Sequence, residues 1–340
     1  MKVEISDGID SGNLTIRVLT TNTVLSTLLT EEKFKGKVIH PHFYGSRYFA
    51  EHGLAMSIEI KQGENVKKYL LDTGGAKNSI LLNVEAMGID FKDFDKLILS
   101  HGHIDHFGGL MKVLPKLKEG CEIIISPNSY NQNMILVPRS GQKFYSAEVL
   151  TEKFRNLQKQ NAFVYNLKLP SLNKTLIENL INQNNLKLVE STNPIKLTNN
   201  MATSGEIELF DENDVSKGFY LLEGSNKFTK NTFRDETSIY INVKDKGLVV
   251  LTGCGHTGLI NTLKHGQKIT GINKIYAIIG GLHKEWEKSE DIEETVKYIE
   301  NLNPEITCGM HCTGFEFNKI MSARGHPSHT LGVVGTEFHL

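Results

Sequence analysis

The run Leu97-Ile98-Leu99-Ser100-His101-Gly102-His103-Ile104-Asp105-His106 constrains this chain more than any other stretch. Its first three residues are apolar and read as a short strand buried on both faces. Ser-His-Gly ends that strand, and three imidazoles and a carboxylate follow within six residues. In an extended or tightly turning segment His101 and His103 project to one side, because side chains alternate. Asp105 and His106 come next as the chain turns, and can face a second position close by. Imidazole nitrogen and carboxylate oxygen suit Zn2+, Fe2+ or Mn2+. A solvated histidine-rich loop would account for one or two of these residues. It does not account for all of them set between a buried strand and Phe107-Gly108-Gly109-Leu110, where glycines let the backbone turn tightly.

The 340 residues are 39% hydrophobic and 23% charged, an ordinary globular balance that allows a sizeable core in a single domain, 1–340. A net charge of −1 gives no general attraction to nucleic acid or to an anionic membrane, so the expected partner is a small-molecule substrate. The first seven residues carry charges where a signal peptide needs an apolar run, and no apolar stretch approaches a membrane span. Cys121, Cys254, Cys308 and Cys312 are too few and scattered for a disulfide scaffold, which points to a reducing cytoplasm. Cys308 and Cys312 are not a C-x-x-C pair and form no separate zinc knuckle. The oligomeric state is left open.

Alternation predicts strands over 14–19, 55–60 and 68–71, the last two joined as a hairpin around Gly63. The segment 20–50 is irregular, and its His40 and His42 read as structural. Asp72, followed by Thr73-Gly74-Gly75, places a carboxylate at a sheet edge. It either caps the following turn or orients a metal-bound histidine. A helix is predicted over 80–87, with Gly88 as its stop, then a short helix over 110–117 interrupted at Pro115, and a strand over 121–126. From 127 to 200 Asn, Gln, Lys and Ser become frequent, with helices expected over 148–160 and 172–182. This polar stretch is read as an insertion, either a surface elaboration or a lid that sets substrate choice.

Strand character returns over 207–210, 219–222 and 237–243. The apolar strand 247–252 ends in Gly253-Cys254-Gly255-His256, which repeats the logic of the first histidine run. Helices over 259–269 and 285–302 alternate with strands over 274–279 and 306–310. The first of these strands ends in Gly280-Gly281-Leu282-His283, the second in His311-Cys312-Thr313-Gly314. Histidines at successive strand ends argue for an α/β sheet with its site along one edge.

The His-x-His-x-Asp-His run and the later strand-end histidines resemble the metallo-β-lactamase superfamily. The blocks Glu51-His52-Gly53-Leu54, Leu71-Asp72-Thr73-Gly74, Thr203-Ser204-Gly205-Glu206-Ile207, Asp235-Glu236, Thr252-Gly253-Cys254-Gly255-His256, Gly280-Gly281-Leu282-His283 and His311-Cys312-Thr313-Gly314 resemble one branch of it, the dihydropterin ribofuranosylaminobenzene 5′-phosphate synthase-like proteins. The resemblance implies an αββα sandwich with a one- or two-metal site at the sheet edges. The chain departs from the superfamily pattern where a Gly-Asp usually supplies a bridging carboxylate. Cys254 stands near that position, His256 takes the role of an upstream histidine, and Asp235 is the rival for it.

On this basis one ion, Zn2+ with Mn2+ or Fe2+ as alternatives, is expected on His101, His103 and His256, and a second on Asp105, His106 and His311. Water between two such cations loses a proton near neutral pH and can attack a carbonyl or phosphoryl centre. Asp105 would orient that water or accept its proton, and His283 either contacts substrate or is structural. The reaction expected is hydrolysis of a small-molecule ester, lactone or phosphoester. The alternatives are transfer chemistry that condenses a pterin diphosphate with an aryl amine, and a metal-dependent small-molecule sensor.

Overall fold

Strands buried on both faces set the architecture. A computed structural model describes residues 2–25, 27–41, 48–140 and 142–340, so His42 lies outside the described residues. Eight strands form one mixed sheet in the order Val38–Ile39, Glu337–His339, Leu14–Thr20, Ala55–Gln62, Asn65–Leu71, Lys96–Ile98, Glu122–Ile125, Lys187–Glu190. Five strands form a second, in the order Met201–Thr203, Ile239–Val243, Gly247–Thr252, Ile275–Gly281, Ile306–Met310. The alternation of side chains divides each strand between two cores. Ile98 faces inward with Ile16, Ile58, Ile241, Val249 and Ile279, filling the space between the sheets. Leu97 and Leu99 face outward onto Ile80, Val84, Leu110, Ile177 and Ile181 of the covering helices. On the other side Leu248 and Val250 pack against Leu259, Leu263, Val296 and Phe317. The result is the αββα sandwich that the sequence led us to expect.

In the second sheet Gly247–Thr252, Ile275–Gly281 and Ile306–Met310 run parallel, so their carboxyl ends open on the same edge. Lys96–Ile98 lies between two parallel neighbours in the first sheet, and the first histidine run follows it directly. The expected helices are found as Ser79–Ala86, Ala147–Lys159, Lys174–Gln183, Leu259–Thr270 and Ser289–Leu302. His40 is buried, with Nδ1 3.2 Å from Thr336 Oγ1.

One element differs from expectation. Residues 207–210 form no strand. The backbone there runs across the helix Leu259–Thr270, and its N–H groups meet side chains instead of a neighbouring strand. Phe210 N donates to Asn261 Oδ1 at 2.7 Å, and Glu208 N lies 3.3 Å from His265 Nδ1. The polar stretch 127–200 is divided between two places. Its last strand, Lys187–Glu190, closes the edge of the eight-stranded sheet. Asn133–Pro138 and Phe163–Lys168 instead join Phe219–Glu223 and Lys227–Lys230 in a separate four-stranded sheet with its own small core. Among the described residues no helix is long and apolar enough to cross a membrane.

The double-sided burial makes the central strands the stability core. Ile279, fully buried between the sheets, is expected to cost about 2–5 kcal/mol when truncated to Ala, whereas exposed Leu82→Ala should stay within about 0.5 kcal/mol. Urea unfolding of the metal-free protein measures both.

Candidate metal centre

A single buried carboxylate organises the first histidine run. Asp72 ends the strand Asn65–Leu71 with φ of 60°, and its backbone N–H is bonded to Ile98 O. Its Oδ1 accepts from Ser100 N at 2.7 Å, and its Oδ2 accepts from Ser100 Oγ at 2.7 Å and from His106 Nδ1 at 2.7 Å. With the Ser100 proton committed to Asp72, Ser100 Oγ accepts from His101 Nδ1 at 2.9 Å. Both His101 and His106 therefore carry the Nδ1 proton and turn Nε2 to the centre. Gly102 is required between them, because a Cβ there would lie 2.1 Å from the carbonyl oxygen of Ser129.

The second sheet brings the remaining groups. The loop after Gly247–Thr252 carries Cys254 and His256. Glu236 fixes it by accepting from His256 N at 2.8 Å, Thr257 N at 2.6 Å and Thr257 Oγ1 at 2.6 Å. His311 follows Ile306–Met310 with φ of 54°, and His283 follows Ile275–Gly281 with φ of 43°. His283 Nδ1 lies 3.1 Å from Ser216 Oγ, and its ring centroid is 4.1 Å from that of His256.

Two groups of donor atoms result. Asp105, His106, Cys254 and His311 have donors all within 4.8 Å of one another, as do His101, Cys254 and His256. His103 lies beside the second of these, with Nδ1 3.1 Å from His256 Nε2. Cys254 Sγ is common to both groups. His106 Nε2 is 3.0 Å from Cys254 Sγ and 3.2 Å from His311 Nε2, and His311 Nε2 is 3.2 Å from Asp105 Oδ2. Tetrahedral zinc with bonds of about 2.0–2.1 Å to nitrogen sets its ligand atoms about 3.3 Å apart. His101 Nε2 is buried with no hydrogen-bond partner, which is costly for an imidazole with nothing to bind. The donors fit transition metal ions.

Burial also sets the protonation these ligands need. It pushes His101 and His256 well below the usual imidazole range, His103 and His311 to about 4, and His283 to about 3. At neutral pH these rings are neutral and offer lone pairs. For His106 burial acts in the same sense, but the Asp72 and Asp105 carboxylates outweigh it and raise its pKa. Burial opposes the charge on Asp105, yet His106 and His52 hold the carboxyl well below its ordinary range. Burial raises the Cys254 thiol well above its own, so metal binding there must release a proton.

The structure brings His101, His103, Asp105, His106, His256 and His311 close together: Asp105, His106 and His311 share one donor group, His101 and His256 share the other, and His103 lies beside His256. It adds Cys254 to both. The rival donor Asp235 is used elsewhere: its Oδ2 accepts from Gly102 N at 2.8 Å. Asp72 does orient a histidine, as one of its two sequence readings had it. His283 adjoins the centre without entering either group. It also lines a cavity of about 180 Å3, together with Ser216, Lys284 and Trp286. Sequence reasoning missed the aromatic cover. Phe219, from the four-stranded sheet, stacks on His103 at 5.5 Å, and Phe233 stacks on His256 at 4.3 Å. Phe233 stands alone between Thr232 and Arg234 and Phe219 opens an ordinary apolar run, so neither carries a sequence signal of such a role.

Two predictions follow from this geometry. Because His256 belongs to one group and Cys254 to both, His256→Ala should remove about one of two metal equivalents. Cys254→Ser should weaken zinc at both positions and shift preference toward Mn2+, since the hydroxyl is a harder ligand than the thiolate. Elemental analysis after dialysis against each metal reads both outcomes. Asp235 gives the second. Its burial, helped by Glu236 and opposed by the bond from Gly102, raises its pKa to about 7. In the metal-free protein the folded state holds this proton more tightly than the unfolded chain. That contribution is present below about pH 4 and is lost as pH rises to about 7. Asp235→Asn keeps an oxygen for Gly102 N–H and should remove the loss. Its urea midpoint relative to the parent should rise between about pH 4 and 7 and stay higher above that. The depressed histidines tilt both proteins the other way, so the difference between the two is the readout.

Comparison with known proteins agrees with this geometry. Residues 58–119, which include the first histidine run, match the metallo-beta-lactamase superfamily model. The chain is 33% identical over 277 residues to the 7,8-dihydropterin-6-methyl-4-(beta-D-ribofuranosyl)-aminobenzene-5′-phosphate synthase of Methanocaldococcus jannaschii, covering 80% of this chain and 84% of that protein. It is 26% identical over 271 residues to an uncharacterized protein of the same archaeon, covering 79% and 87%. In fold it is similar to a crystallised metal-dependent hydrolase of the β-lactamase superfamily. The TM-score is 0.66 at 22% identity, over 96% of this chain and 99% of that one. The sandwich, the strand-end histidines and the extent of the match to the synthase together show that this chain belongs to the metallo-β-lactamase superfamily, in the branch that includes that synthase.

Proposed function

We propose that the protein is a metal-dependent hydrolase that opens a small-molecule ester, lactone or phosphoester. The observation that carries this reading is the convergence of two donor groups on Cys254 Sγ, with the Asp105 carboxylate at their edge. Bound divalent ions would supply a Lewis acid for a carbonyl or phosphoryl oxygen and lower the pKa of water. The residues do the rest. His101, His103 and His256 on one side, and Asp105, His106 and His311 on the other, would hold the cations, with Zn2+ favoured by the shared thiol and Mn2+ or Fe2+ as alternatives. Asp105 stays ionised and so can orient a water. His283 sits between His256 and the cavity that Trp286 lines, so it can contact the substrate or its leaving group. Phe219 and Phe233 keep water from the His103 side. The four-stranded sheet that supplies Phe219 acts in this reading as a lid.

A second reading has the 33% identity to a synthase in its favour: the same residues would activate a pterin diphosphate for attack by an aryl amine in place of water. The four cysteines are free and buried, which fits a reducing cytoplasm.

The deciding experiment is an activity panel on the metal-loaded protein: lactones, phosphodiesters, thioesters, and pterin diphosphates with and without an aryl amine. Turnover of the first three classes supports hydrolysis, and amine-dependent turnover supports transfer. His103→Ala and Asp105→Ala are each expected to reduce turnover to background. Chelator should abolish activity while the far-ultraviolet circular dichroism persists. Wild-type-like activity in Asp105→Ala would exclude the two-metal scheme.

A further inference from the structure

The block Glu51-His52-Gly53-Leu54 has no place in either donor group, yet it is held hard against one of them. Buried Glu51 ties the loop to the start of the helix Ser79–Ala86, accepting from Lys77 N at 2.6 Å and from Ser79 Oγ. Gly53 has φ of 155°, and a Cβ there would lie 2.5 Å from Asp105 O and 2.6 Å from Gly75 N. Leu54 N donates to Asp105 O at 3.2 Å. The loop therefore lies backbone to backbone on the turn that carries Asp105. His52 reaches over it, with Nε2 3.3 Å from Asp105 Oδ2, while its side chain remains 64% exposed.

Asn22, on the loop after the strand Leu14–Thr20, connects this arm to His311. The orientation of its amide follows from one unambiguous donor. Gly53 N–H can only donate, and it meets Asn22 Oδ1 at 3.2 Å. The same oxygen is 2.9 Å from His311 Nδ1, so that ring nitrogen carries the proton and His311 Nε2 offers a lone pair to the donor group. The amide nitrogen of Asn22 must then donate, and it lies 3.2 Å from His52 Nδ1 and 3.4 Å from His311 O. His52 Nδ1 is therefore the acceptor, and Nε2–H is the atom aimed at Asp105. His311 Nε2 and Asp105 Oδ2 are left as two acceptors 3.2 Å apart, an arrangement that a cation between them stabilises.

We infer that Asn22 and His52 are positioning residues for the donor group Asp105, His106, Cys254 and His311, Asn22 by fixing the tautomer of His311 and His52 by holding the Asp105 carboxylate. This rests on reading that group as metal-holding. Asp72 and Ser100 do the same for His106 and His101 from within the core. Asn22 and His52 do it from the solvent side, where water can replace any one bond but not the fixed direction of all of them. Partners of this kind typically change metal affinity about 10–100-fold.

The test titrates metal-free protein with Zn2+ against a chelating indicator and records ring nitrogen spectra of the 15N-histidine-labelled protein. Asn22→Leu is expected to weaken one Zn2+ equivalent about 10–100-fold, leave the other unchanged, and let His311 populate both tautomers. Asn22→Asp keeps acceptors for His311 Nδ1–H and Gly53 N–H and should recover most of the affinity. His52→Ala should weaken the same equivalent by a smaller factor. Unchanged binding of both equivalents in Asn22→Leu and His52→Ala overturns the inference. So does an equal loss at both equivalents with a lowered melting temperature of the metal-free protein, which would mark a general structural role. His311→Ala is the control for the underlying reading. If it still binds two equivalents as tightly as the parent, the donor group itself is misassigned; if it loses one, a failure in the Asn22 and His52 variants falls on the inference alone.

Discussion

The centre depends on the carboxylate of Asp72. Fully buried, it gathers a backbone N–H, a hydroxyl and an imidazole N–H, and so satisfies a charge that would otherwise be prohibitive in the core. The same bonds set the protons on His101 and His106, and with them the direction of two lone pairs. Strand pairing holds Asp72 in place, since its N–H bonds to Ile98 O at the very end of the strand that leads into the histidine run. Packing of Ile98 between the sheets and of Leu97 and Leu99 beneath the helices is thus converted into the orientation of ligands.

A second constraint is the crowding of imidazoles. His101, His103, His106, His256, His283 and His311 are all buried, and burial drives most of them neutral. Charged, they would repel one another in a low dielectric. The metal-free fold tolerates them because each neutral ring needs a single proton and the surrounding groups dictate where it sits. His106 is the exception, and the carboxylates on either side of it explain why. The centre is prepared for cations by the placement of protons.

Much of this was legible in the sequence because it rests on local pattern. The His-x-His-x-Asp-His run, the apolar strands ending in His256, His283 and His311, and Asp72 beside Gly-Gly are all readable without knowing what lies opposite. What could not be read depends on contacts distant in sequence. Asp235 and Glu236 are adjacent carboxylates with different tasks, one binding Gly102 N and the other the loop of His256. The 207–210 stretch alternates like a strand but lies against a helix whose Asn261 supplies the acceptor. The four-stranded sheet is assembled from 133–168 and 219–230, so no contiguous composition marks it. Cys254 could equally have been a small residue packed under a turn, and only the positions of His106 and His101 make it common to two groups.

The two sides of the centre are built differently, and the difference bears on how a substrate approaches. The side of His103 and His256 lies under Phe219 and Phe233, with Trp286 stacked on Phe219 at 5.7 Å and Tyr165 on Trp286 at 5.9 Å. That stack runs from the metal ligands to the surface through three elements distant in sequence, so opening it means moving the four-stranded sheet against the loop after Ile275–Gly281. Among the described residues, no phenylalanine or tryptophan stacks over the side of Asp105 and His311 in this way; Asn22 and exposed His52 lie against it. On that side the Asp105 side chain is 18% exposed, whereas His101, His103 and His256 on the aromatic side are buried. Ligand orientation set from the core and the aromatic cover supplied by the four-stranded sheet are therefore separate in the fold. Such a separation allows a cover to vary while the donor groups beneath it stay fixed.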